Sequence, residues 1–86
     1  MEESRGRLVG PDQAFWLEEG IGLRTLGELL VALALLSPKS YELYVSEGKN
    51  NFADWVEFCM ENKELGDSLR LLKEQDEMCA EVRSYV

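Results

Sequence analysis

Eight consecutive apolar residues, Leu29 to Leu36, form the longest such run in the chain. They constrain the fold more than any other feature. The run is well short of the ~18 residues that cross a bilayer. Thr25-Leu26-Gly27-Glu28 precedes it and fits a capping box. In that motif the threonine hydroxyl accepts from the backbone N–H of the glutamate, whose carboxylate reaches back. The spacing predicts a helix over Leu26 to about Leu36, with Leu26, Leu29, Leu30 and Leu33 as its main stripe. Val31 and Leu35 fall on the opposite side, so the helix is apolar nearly all round. Such a helix is either central in the fold or covered by a partner on its second face.

The remaining helix starts are equally marked. Ser37-Pro38 is an N-cap followed by a proline at the first helical position and predicts a second helix carrying Tyr41, Tyr44 and Val45 and ending at Gly48. Lys49-Asn50-Asn51 then reads as a turn, with Asn51 as the cap of a third helix from Phe52 to about Glu61. There Phe52, Trp55, Val56 and Cys59 follow the i, i+3, i+4, i+7 pattern, and Phe58 and Met60 widen the stripe. This helix is expected at the centre of the core. Asn62 is expected to cap a fourth helix running to near the C-terminus, about 30 Å long, with Leu65, Leu69, Leu72, Cys79 and Val82 on one stripe and Leu71 and Met78 beside it. Gln75 and Asp76 interrupt that seam, so its last turns are expected to project. Before all of these, Ala14-Phe15-Trp16-Leu17, a turn at Gly20 and Ile21-Gly22-Leu23 predict a small β-hairpin. An isolated two-stranded hairpin is barely stable, so one of its faces must rest on helices. The expected fold is therefore mainly α: an N-terminal hairpin followed by about four helices in one compact domain over residues 11–86, with residues 1–10 as a flexible tail.

Composition narrows the functions. Nine Lys and Arg against seventeen Asp and Glu give a formal charge of −8 across 86 residues, with no histidine. The basic residues are scattered, which argues against direct binding to nucleic acid and to anionic membranes. Met1-Glu2-Glu3-Ser4-Arg5 lacks an apolar segment and is not a signal peptide. Cys59 and Cys79 both lie on helical stripes and read as small buried hydrophobes in a reducing cytoplasm. No cofactor or metal site is expected. With no histidine, Ser37, Ser40, Ser46, Ser68 and Ser84 have no such base to activate them. Glu18 and Glu19 in a hairpin turn are solvated, and no phosphate-binding glycine motif is present. The C-terminal Ser84-Tyr85-Val86 has the form of a carboxylate-captured peptide, against the simpler reading that it packs or frays. An enzyme is not expected.

One block has a wider echo. Lys49-Asn50-Asn51-Phe52-Ala53, then Trp55-Val56, resembles the hallmark of a small, mostly archaeal domain family of uncharacterised function. That hallmark reads Lys-Asn-Asp-Phe-Ala-x-Trp-(Ile/Val) and follows a His-Val pair. The resemblance spans roughly residues 13–72. Tyr44 stands at the family's histidine and Asn51 at its aspartate. The resemblance implies a helical fold with an N-terminal hairpin in a cytoplasmic, archaeal-type protein, and supplies no reaction.

The candidate contact residues follow from these patterns. If Phe15 and Leu17 face the helices, Trp16 is exposed, and with Tyr41 or Tyr44 nearby it would form an interface anchor. Otherwise the hairpin packs through Trp16. Val31 and Leu35 are the second face of the Leu-rich helix, and suggest a homodimer or a protein partner. Lys49 and Asn50 are either a polar tip that grips a partner or the structural joint between two helices. The leading expectation is a non-enzymatic protein-interaction or self-association module. The alternative is an acidic inhibitor or nucleic-acid mimic that fits a basic groove on a partner protein. A third, an enzyme or small-ligand binder, has no residues to carry it.

Overall fold

The computed structural model describes residues 8–86, and three of its helices begin where the sequence places capping side chains. A 3₁₀ turn, Pro11–Gln13, leads into β1 (Phe15–Trp16), which pairs antiparallel with β2 (Gly22–Leu23) in the register Phe15 to Leu23 and Trp16 to Gly22. Gly20 closes this hairpin at φ +86°, a conformation that favours glycine. Then come α1 (Leu26–Leu35) and α2 (Pro38–Tyr41). A second hairpin follows, from β3 (Val45–Ser46) and β4 (Lys49–Asn50). The chain ends in α3 (Asn51–Phe58), α4 (Lys63–Arg70) and α5 (Gln75–Arg83). The mainly α reading with an N-terminal hairpin is the observed fold, with five helices among the described residues in place of about four.

The caps at Thr25, Ser37 and Asn62 act as expected, each side chain accepting from the backbone N–H three residues on. The Glu28 carboxylate reaches back one residue beyond the cap that the box motif expects, accepting from the Arg24 N–H at 2.7 Å. The cap of α3, however, is Asn50 and not Asn51: Asn50 Oδ1 accepts from the Ala53 N–H at 3.0 Å.

Three segments depart from expectation. The helix after Ser37 stops after one turn at Tyr41, and Val45 to Asn50 become the second hairpin, with Gly48 at φ +77° in its turn and not at a helix end. The long C-terminal helix is two helices. The chain breaks after Arg70, and α5 folds back along α1 with Met78 and Val82 fully buried, so its turns do not project. One straight helix cannot cover both α3 and α1; two shorter ones do. Within α3, Phe58 is exposed, so it does not widen the stripe, whereas Met60 beyond the helix is fully buried. The chain leaves α3 through Glu61 at φ +57°, a left-handed residue that terminates a helix.

The core gathers Leu26, Leu29, Leu33, Phe52, Val56, Met60, Leu65, Leu69, Met78 and Val82. Burying a side chain of this size contributes about 1.5–3 kcal/mol. Phe15 anchors the first hairpin to that core. Its ring stacks on Phe52 with centroids 4.8 Å apart and meets Tyr44 edge-on at 5.4 Å. Val9 also belongs to the core: its N–H donates to the Arg24 carbonyl at 3.0 Å, and its carbonyl accepts from Arg24 Nε at 2.8 Å. The flexible tail expected over residues 1–10 is thus corrected at Val9. Its residues 1–7 lie outside the described residues. Helices α3 and α4 are the most closely packed pair. A Cβ at Gly66 would come within 3.0 Å of Glu57 Cβ and 3.1 Å of the Ala53 carbonyl oxygen, so glycine permits their close approach.

Candidate functional site: an apolar groove between the first hairpin and α1

The same helix that supplies the centre of the core turns its second face outward. Leu26, Leu29 and Leu33 are buried, while Val31 is 56% and Leu35 78% exposed. Four residues apart, those two side chains form one ridge along α1. The first hairpin rises beside it and presents Ile21, 56% exposed, next to the buried Leu17 and Leu23. Between hairpin and helix lies an open groove of about 860 Å³. Its floor and walls are Leu17, Ile21, Leu23, Val31, Ala32, Leu35 and Leu36; Ser37 and Ser40 close one end. Among the described residues, Glu19 and Glu28 are its only charged lining residues. The sequence does not mark Ile21, because the three-residue arm Ile21-Gly22-Leu23 is too short a pattern to show a face.

The other predicted contact residues lie elsewhere. Trp16 is 56% exposed, the first of the two arrangements that the strand alternation left open, but it is not a free anchor. Its ring lies against Gly22, where an added Cβ would meet it at 3.0 Å, and its Nε1–H donates to the Pro11 carbonyl at 3.3 Å. Tyr41 and Tyr44 are buried and do not join Trp16 at the surface. The Tyr44 hydroxyl accepts from the Glu18 N–H at 2.9 Å and ties the hairpin turn to the aromatic cluster. The Tyr41 hydroxyl donates to the Lys73 carbonyl at 3.0 Å and lies 2.8 Å from Met78 Sδ. Lys49 is exposed, and its Nζ donates to the Leu43 carbonyl across the second hairpin. Asn50 is half-buried and uses both ends of its amide: besides capping α3, Nδ2 donates to the Leu69 carbonyl at 3.0 Å. The block from Lys49 to Val56 therefore builds a joint, with Phe52, Trp55 and Val56 in the core beneath it.

A second cleft, of about 910 Å³, opens between the end of α1, α2 and α5. Tyr41, Glu42, Lys73, Glu74, Asp76, Cys79 and Arg83 line it. Burial, helped by the carboxylates of Glu74 and Asp76, pushes the Tyr41 phenol up to about 12, so it keeps its proton through neutral pH. Gln75 seals one wall by donating from Nε2 to the carbonyls of Leu33 and Leu36, at 2.8 and 2.7 Å. Cys79 is buried, with Arg83 Nη2 3.9 Å from its sulfur; Cys59 is only half-buried, more open than its stripe suggested. Across α3 and α4, Arg70 bonds Asp54 at 2.8 Å, Glu57 at 2.7 Å and Asp67 at 3.2 Å. The hydrogen bonds to Asp54 and Glu57 strengthen its hold on its proton. Among the described residues no group of three or more His, Cys, Asp and Glu is placed to hold a metal ion. No helix there is long and apolar enough to cross a membrane.

Compared with known protein families, curated proteins and solved structures, the chain matches none.

Proposed function

We propose that this chain is a non-enzymatic protein-interaction module of the cytoplasm whose contact face is the groove between the first hairpin and α1. One observation carries the reading: Ile21, Val31 and Leu35, three large exposed apolar side chains, line a single groove on two elements that the core holds rigid. Exposed apolar side chains scattered singly are ordinary, but a shared concave patch marks a surface that gains by being covered. The aromatic cluster beneath the hairpin and the buried stripe of α1 fix both walls, so little ordering is lost when something docks. Membership of the archaeal family that the Lys49–Val56 block resembles is part of the same proposal; that block supports the scaffold and lies outside the groove.

The test is chemical footprinting of the purified chain alone and in lysate of its native host. Solvent-accessible labelling of Ile21, Val31 and Leu35 should fall in lysate, while that of Phe58 and Leu71, exposed on other elements, should not. Equal labelling of all five residues in both conditions contradicts the reading.

A further inference from the structure

Resting on the interaction face proposed above, we infer that the occupant of the hairpin–α1 groove is a basic amphipathic helix of another protein. Shape selects a helix. Val31 and Leu35 form an i, i+4 ridge with the hairpin wall opposite, the geometry into which the apolar side of a helix packs. An added strand has little to pair with, since β1 and β2 are two residues each. Charge selects the partner. Both charged lining residues, Glu19 and Glu28, are carboxylates. Glu18 adds a third exposed carboxylate on the same hairpin turn. The nearest base in sequence, Arg24, has its Nε on the Val9 carbonyl and does not line the groove. A two-fold pair of this chain places the same patch on both sides. It would gather four lining carboxylates around one apolar seam, with no lining base among the described residues to offset them. A helix with Leu or Ile on one side and Lys or Arg along its flanks fills the groove and pairs those carboxylates.

Two labelled 16-residue peptides test this by fluorescence anisotropy with the full chain. They share one Leu stripe; one carries Lys and Arg on its flanks and the other Glu. The basic peptide is expected to bind and the acidic one not. Val31→Ser with Leu35→Ser should weaken the basic peptide at least tenfold. Glu19→Gln and Glu28→Gln should each weaken it roughly twofold to fivefold, the range of exposed charge pairs. Circular dichroism checks that each variant is folded, and Gln at position 28 keeps a capping oxygen. Equal binding of both peptides, lost in the Val31 and Leu35 variant, overturns the charge selection but keeps the contact face. Binding of the basic peptide unaffected by that variant reduces the effect to net charge and overturns both. No binding, with a dimer by sedimentation that Leu35→Ser dissociates, makes a second copy the occupant and overturns this inference alone. No binding by a monomer overturns both.

Discussion

Two adjacent asparagines, Asn50 and Asn51, offer a test of how this domain is joined. Of the two, Asn50 is the one whose side chain links α3 to α4. Its Oδ1 caps α3 at Ala53, and its Nδ2 reaches the last turn of α4 at the Leu69 carbonyl. Replacing an N-cap asparagine by alanine costs typically about 1 kcal/mol. Losing the second bond costs about 1 kcal/mol more, so Asn50→Ala should destabilise by about 2 kcal/mol. In a domain of this size that is a fall in Tm of roughly 8–16 °C. Asn50→Asp keeps the capping oxygen and adds a charge favoured at a helix N-terminus, worth about 0.3–1 kcal/mol. It loses the donor and turns an oxygen toward the Leu69 carbonyl, so a net loss of about 1 kcal/mol is expected. Asn51→Ala should stay within about 0.5 kcal/mol, because the tertiary bond at Asn51 is from its backbone N–H to the Tyr44 carbonyl and survives the change. Calorimetry and urea unfolding of the three variants decide the matter. If Asn51→Ala costs as much as Asn50→Ala, the cap has been placed one residue too early. If the aspartate variant is as damaged as the alanine one, the capping oxygen contributes nothing.

Three further outcomes are expected. The folded Tyr41 phenol, at about 12 against an ordinary 10, holds its proton more tightly than in the unfolded chain. Its contribution to stability is therefore complete below pH about 10 and is lost as pH rises toward 12; Tyr41→Phe should remove that part of the alkaline slope in urea unfolding, and an identical slope refutes it. Gly66→Val should cost about 1–3 kcal/mol by overpacking the α3–α4 contact; Gly66→Ala should be milder because helix propensity returns about 1 kcal/mol, and thermal unfolding of the pair checks the order. Leu33→Ala should cost about 2–5 kcal/mol, whereas Leu35→Ala, two residues along the same helix, should stay within about 0.5 kcal/mol; comparable losses in denaturant unfolding would show that Leu35 is packed and the groove filled.

Much of this structure is written locally. Thr25, Ser37 and Asn62 announce helices by capping chemistry that needs only three neighbouring residues, and each helix begins there. The apolar period of 26–36 separates Leu26, Leu29 and Leu33 from Val31 and Leu35, and burial follows that division. The two groove residues on α1 were thus legible before any fold was known. Ile21 was not, since only the hairpin's placement beside α1 gives it a role. The second hairpin was also hidden. Tyr41, Tyr44 and Val45 keep helical spacing, but both tyrosines serve the core better through hydroxyl bonds to Lys73 and Glu18, distant in sequence.

What the sequence determined by itself is the first hairpin, the helix starts at Thr25, Ser37 and Asn62, the sign of the surface and the buried stripe of each strongly patterned helix, because caps, charge and periodicity act over one or two turns. What only the tertiary structure decided is where the chain bends back. The break after Arg70 answers to α3 and α1 together: α4 takes one, and α5, held by Gln75 on the carbonyls that end α1, takes the other. The groove has the same origin. A helix apolar on two sides needs two neighbours, and the folded chain supplies one.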